Sequence, residues 1–100
     1  MMNNNMMKQA QKLQNDLMRA QEKMKDLVIE GSAGGGIVKV MGDGSGKISE
    51  VKIQPDAVDP DDIEFLEDLV LAAFNKYQEE IDKITQEQMG PLAGGLGGLF

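Results

Sequence analysis

The sequence predicts an α+β protein: a long helix, a three-stranded antiparallel meander, then a second long helix. Three observations lead there. Residues 59–89 carry the longest run of helical apolar periodicity in the chain. Apolar residues near the N-terminus recur without a slip over three heptads. Between these two runs the period shortens to that of strands, and glycine-rich turns divide the segment into three.

The first helix is expected from about Met6 to Asp26, with Asn5 as its cap and the residues before it frayed. Met6, Ala10, Leu13, Leu17, Ala20, Met24 and Leu27 form its apolar seam. Such a seam packs equally well inside its own chain or against a second copy. On a wheel of about 100° per residue, Lys8, Lys12, Arg19 and Lys23 fall within an arc of roughly 60°, well around the helix from the seam. A row of charges is ordinarily a solvated face, but no acid is interleaved in this one.

Leu27–Glu30, Ile37–Met41 and Lys47–Ile53 read as strands. Gly31–Gly36 reads as a flexible connection, Gly42–Gly46 as a tight turn, and Pro55 as the stop of the third strand. Val51 and Ile53 share one face of that strand, opposite Glu50 and Lys52. The dry face of such a sheet needs a cover, which the second helix supplies.

That helix is expected over Asp59–Met89, with Asp59 as N-cap and Pro60 in the first turn. Its stripe comprises Ile63, Leu66, Leu69, Val70, Ala73, Phe74, Tyr77, Ile81 and Ile84. Gly90-Pro91 is expected to end it, leaving residues 90–100 as a flexible Gly/Leu-rich tail after a single domain of residues 1–89. At about 1.5 Å per residue the helices span roughly 30 and 45 Å, against about 20 Å for a six-residue strand. Their ends must project, and a projecting apolar stripe is expected to be hidden by pairing the helices and by a two-fold homodimer. Leu13, Leu17, Met24, Leu66, Leu69, Val70, Phe74 and Tyr77 are the expected core and dimer seam.

Composition narrows the function. The chain has no cysteine and no histidine, which removes disulfides, thiolate chemistry and the usual neutral-pH acid–base and metal ligand. No signal peptide and no apolar run of membrane-spanning length is visible, so a soluble cytoplasmic protein is expected. The net charge of −7 argues against nucleic acid when taken globally. It is unevenly spread: residues 1–25 hold five cations and two acids (+3), residues 59–89 two cations and ten acids (−8).

Catalytic and ligand motifs fail on inspection. A calcium loop aligned on Gly46 places Met41 and Lys52 where acids are required. A phosphate loop ending at Gly46-Lys47 lacks its first glycine and has Ile48 in place of Ser or Thr. No nucleophile–base pair can be assembled, and the carboxylate pairs Asp61/Asp62 and Glu79/Glu80 lie on an exposed face. No enzyme, metal, cofactor or small-molecule substrate is expected. What remains is a binding or architectural role.

Met7-Lys8-Gln9-Ala10-Gln11-Lys12-Leu13, Gly36-Ile37-Val38-Lys39-Val40, Val51-Lys52-Ile53-Gln54-Pro55 and Leu66-Glu67-Asp68-Leu69-Val70-Leu71-Ala72-Ala73-Phe74-Asn75 occur in that order. Together they resemble the YbaB/EbfC family of bacterial nucleoid-associated proteins, over nearly the whole chain. The resemblance implies an α-β-β-β-α protomer, a tweezer-like homodimer, and DNA binding with little sequence preference in nucleoid organisation or gene regulation. Tyr77-Gln78 is bulkier than the family pattern leads one to expect. The leading expectation is contact with the DNA backbone through Lys8, Lys12, Arg19 and Lys23, doubled by dimer symmetry. The rival is a protein-interaction module that clasps a partner with its helical arms and the apolar residues of its tail.

Overall fold

A computed structural model describes the backbone of residues 4–97 and the side chains of residues 4–88. The order of elements is α1 (Asn4–Asp26), β1 (Ile29–Ala33), β2 (Val38–Gly42), β3 (Ile48–Ile53), a 3-10 turn at Pro55–Ala57, and α2 (Ile63–Gly97). The strands form one antiparallel sheet in the order β1-β2-β3. The α+β meander between two long helices is therefore present. The molecule measures 69 × 24 × 18 Å, with a radius of gyration of 19.4 Å. A compact chain of this length has about 13 Å, so the helices do project from the sheet.

The core lies between α2 and the first two strands. Ile29, Val38, Val40, Ala57, Ala73 and Tyr77 are buried there. Leu66, Leu69, Val70, Phe74, Ile81 and Ile84 close around them, each half-buried. Strand alternation explains the choice: Ile29, Gly31 and Ala33 share the inner face with Val38, Val40 and Gly42. The outer face carries Glu30, Lys39, Glu50 and Lys52, with Lys39–Glu30 and Lys52–Glu50 ion pairs at 3.5 and 3.6 Å.

β1 differs from its expected span. It takes in Gly31, Ser32 and Ala33, which looked like connection, and begins at Ile29 rather than Leu27. These residues have little intrinsic strand preference. What holds them is the ladder to Val38–Met41, together with the approach of α2. A Cβ at position 31 would lie 2.3 Å from both the Ala73 carbonyl oxygen and the Tyr77 nitrogen. Glycine is what lets the helix backbone come down onto the strand. The true turn is Gly34-Gly35-Gly36, where φ is +64°, +73° and +99°.

α2 also differs at both ends. The Asp59 carboxylate accepts the Asp61 N–H at 2.9 Å and its carbonyl accepts the Asp62 N–H at 2.9 Å, which closes a turn around Pro60. The helix begins after it, and Asp62 is the N-cap, accepting the Phe65 N–H at 3.2 Å. At the other end the backbone stays helical through Gly90-Pro91 to Gly97. Residues 98–100 and the tail side chains lie outside the described residues.

The cover over the sheet is incomplete. α2 lies across β1 and β2, and β3 is left open. Val51 and Ile53 pair with Val40 and Val38 and so share the inner face, yet they remain 45% and 43% exposed.

The helix–strand approach at Gly31 generates a prediction. Gly31→Ala is expected to cost about 3 kcal/mol, the upper part of the overpacking range. The neighbouring outward-facing Ser32→Ala is expected to stay within about 0.5 kcal/mol. Urea unfolding at one fixed protein concentration measures both.

Candidate nucleic-acid interface

Among the described residues, α1 is packed most tightly at its C-terminal end. Ala20 and Met24 are buried, Leu13 and Leu17 half-buried, and Ala10 and Met6 exposed, so packing weakens steadily toward the N-terminus. At the held end the Gly44 N–H in the β2–β3 turn donates to the Met24 carbonyl at 2.7 Å. This satisfies one of the acceptors a helix C-terminus leaves open. The heptad seam is thus used inside the chain at least through its last two turns. All eight expected seam residues in both helices are at least half-buried; Met24 and Tyr77 are buried, Tyr77 completely.

Lys8, Lys12, Arg19 and Lys23 are all exposed on α1. Among the described residues no carboxylate lies within the 4.0 Å of an ion pair from any of them. The chain has ten Lys and Arg in all. Lys39, Lys52 and Lys76 each hold a glutamate. Of the remaining seven, five (the row and Lys25) stand on α1. Local neutralisation therefore leaves α1 as the cationic surface of the molecule. From Lys8 to Lys23 the row runs about 22 Å along the helix axis. Lys23 and Lys25 also complement the negative end of the helix dipole.

α2 and the turn leading into it carry the opposite sign, six of their ten acids lying before Leu69, which packs at the Gly34 turn away from α1. All ten acids between Asp59 and Glu87 are exposed, and among the described residues only Glu79 is in an ion pair, with Lys76 at 3.5 Å. The two helices thus give the projecting arm one basic and one acidic member.

The β2–β3 turn joins α1 to the core. The Asp43 carboxylate accepts the Ser45 hydroxyl at 2.6 Å, the Ser45 N–H at 2.8 Å and the Lys47 N–H at 3.2 Å. These bonds, the Ser45 hydroxyl foremost, hold its pKa below the usual carboxylate value. The Tyr77 hydroxyl donates to the Asp43 carbonyl from the other side. Burial, with the Asp43 charge second, pushes the phenol pKa up and keeps the proton on the donor. Asp43 is thus committed to its own turn rather than to a ligand. The roles of Asp43 and Gly44 left no mark in the sequence beyond a turn signal, because both act through contacts with distant helices.

The surface holds no enclosed catalytic cleft among the described residues. An open groove of about 420 Å³ on α2 is lined by Leu66, Glu67, Val70, Leu71 and Phe74, almost wholly apolar. A second hollow of about 330 Å³ runs from Lys25 to Ser49 past Val28 and Asp43. Among the described residues no three metal-ligating side chains cluster, and no helix is long and apolar enough to cross a membrane.

An elongated α-β-β-β-α chain whose first helix carries four cations free of ion pairs among the described residues has the shape and local charge of a small nucleic-acid-binding protein. Comparison with known proteins makes this specific. The model of the YbaB/EbfC DNA-binding family matches residues 1–96, and the chain belongs to that family. It is a family of DNA-binding proteins and not of enzymes. A nucleoid-associated protein of Acetivibrio thermocellus is 47% identical over 96 residues, covering 96% of this chain and 85% of its own length. One of Streptomyces avermitilis is 48% identical over 93 residues, covering 93% and 82%. A solved structure of an uncharacterized Helicobacter pylori protein shares the fold, with a TM-score of 0.77 at 18% identity over 93% of this chain and 99% of the other.

The Asp43 turn carries a pH signature. Its folded pKa is depressed, so its contribution to stability is present above the unfolded value near 4 and is lost as pH falls through the folded value. Asp43→Asn is therefore expected to be less stable than the parent at pH 7, with the difference shrinking below about pH 4. Thermal melts across that range check it.

Proposed function

We propose that this protein binds double-stranded DNA as a homodimer, through the phosphate backbone and with little sequence preference, in the bacterial nucleoid. The observation that carries the reading is the exposed row Lys8, Lys12, Arg19 and Lys23, free of ion pairs among the described residues. Three of the four are lysines. An ammonium is a point charge suited to a phosphate oxygen, whereas base reading favours the rigid fork of arginine. The family to which the chain belongs, and relatives named nucleoid-associated proteins, support the same reading.

The dimer is supported by what the single chain leaves exposed. Val51, Ile53 and Val58 are each more than 40% exposed, and Leu71 at the mouth of the apolar α2 groove is 60% exposed. A small domain does not keep so much apolar surface wet without an occupant. A second copy brings an identical sheet face and groove, and two-fold symmetry lets each fill the other. Doubling the row presents eight cations to one duplex, while the acids of α2 keep the affinity modest.

Two measurements test the reading. Changing Lys8, Lys12, Arg19 and Lys23 together to Gln is expected to abolish the mobility shift at moderate salt. In the parent, log affinity is expected to fall with log salt at a slope of about −7, from about −0.9 for each of eight neutralised phosphates. Two unrelated duplexes should give matching curves, and unchanged affinity in the quadruple variant would place the site elsewhere. Separately, Leu71→Asp is expected to shift the light-scattering mass at micromolar concentration from dimer toward monomer; a monomeric parent would remove the dimer.

A further inference from the structure

We infer that two hydrogen bonds, Tyr77 hydroxyl to Asp43 carbonyl and Gly44 amide to Met24 carbonyl, form a latch that sets the pose of α1 against the sheet. Tyr77 and Gly44 are then positioning residues for the cationic row. The consequence for DNA rests on the reading of that row given above; the latch itself does not.

The covalent link from α1 to the sheet is Leu27-Val28; Leu27 packs against the core and donates its N–H to the Met24 carbonyl at 3.3 Å, while Val28 is 85% exposed, so the link fixes the angle of α1 only in part. The seam residues Leu13, Leu17, Ala20 and Met24 hold one side of the helix, and its last turn is gripped as well. That grip is the β2–β3 turn. The turn is stiff in its own right, because Asp43 ties Ser45 and Lys47 with its carboxylate and closes the backbone with an Asp43 N–H to Lys47 carbonyl bond at 3.0 Å. One side of this stiff piece is fastened to the core by Tyr77, whose ring is fully buried. The other side is fastened to α1 by Gly44.

The fit at both fastenings is close. A Cβ at position 44 would lie 2.6 Å from the Met24 carbonyl oxygen and 2.8 Å from the Met24 Cε. A Cβ at position 42 would lie 2.6 Å from the Tyr77 hydroxyl. Glycine at 42 admits the phenol and glycine at 44 admits the helix end. Leverage makes the latch matter: Lys8 stands about 24 Å along the helix from Met24, so a tilt of about 10° carries its Cα through about 4 Å. Movement on that scale takes the row out of register with a phosphate chain.

The absence of cysteine allows a clean test. Spin labels at Gln11→Cys and Asp56→Cys, with labelled chains diluted into unlabelled protein, report the angle of α1 against the body. Tyr77→Phe keeps the ring and removes the donor; it is expected to broaden the label distance distribution. It should also lower DNA affinity about threefold to tenfold at fixed salt, the range set by one interior hydrogen bond acting on the competent fraction. Gly44→Ala, which leaves the cluster between α2 and the sheet untouched and presses on Met24 at the end of α1, is expected to displace the mean distance. It serves as the second probe if Tyr77→Phe folds poorly by circular dichroism. Distributions that superimpose on the parent in both variants overturn the latch. A broadened distribution with unchanged DNA affinity upholds the latch and instead overturns the assignment of DNA to the row.

Discussion

The close seating of α2 on β1 is the constraint from which the rest of the structure follows. It requires glycine at position 31, because the Ala73 carbonyl and the Tyr77 backbone occupy the space a side chain would take. With the helix this low, the Tyr77 ring enters the core completely and its hydroxyl reaches the end of the sheet, at the Asp43 carbonyl in the β2–β3 turn. A phenol suits such a place because its body is apolar and its tip still finds an acceptor. The bulk of Tyr77, which stood out against the family pattern in the sequence, is accommodated by Gly31 below its backbone and Gly42 beside its hydroxyl. The position of the β2–β3 turn, and through it the end of α1, depends on that one seating.

The same seating decides what is left open. α2 can cross only two strands while it lies so close to β1, and β3 keeps its apolar face toward solvent. Few of the described residues are fully buried. A small core and an elongated shape go together here: the length that carries α1 and α2 outward is length not wrapped around the sheet. Burial missing from the single chain is what the proposed homodimer would supply, so assembly and arm geometry belong to one account.

Both helices were legible in the sequence because their apolar periods persist over six or more turns, and the meander because its turns are glycine-rich. Their boundaries were not. Asp59 and Asp62 are chemically equivalent caps, and only the turn at Pro60 decides which one the helix uses. Gly31-Ser32-Ala33 carries no strand signal of its own; it is a strand because β2 pairs with it and α2 needs a bare backbone there. The cationic row was legible from angular spacing alone. That Lys39, Lys52 and Lys76 are neutralised by neighbours, while the row is not, depends on distances that no periodicity contains.

A net charge of −7 and an affinity for DNA are compatible because of range. At physiological ionic strength the screening length is about 8 Å. Packed helices lie about 8–10 Å apart, axis to axis. A phosphate seated on the outer side of α1 is therefore within one screening length of the row and beyond one from most of the acids on α2. On the proposed reading of the row, the local positive sign governs contact, and the global negative sign governs approach from a distance. In dilute salt the screening length grows to about 30 Å, longer than the row itself, and the acids are then felt along the whole arm. The arrangement favours short-range seating along one face of the arm and disfavours wrapping of the duplex onto the other. That directionality comes from setting a basic helix against an acidic one, and a uniformly basic protein of the same shape would lack it.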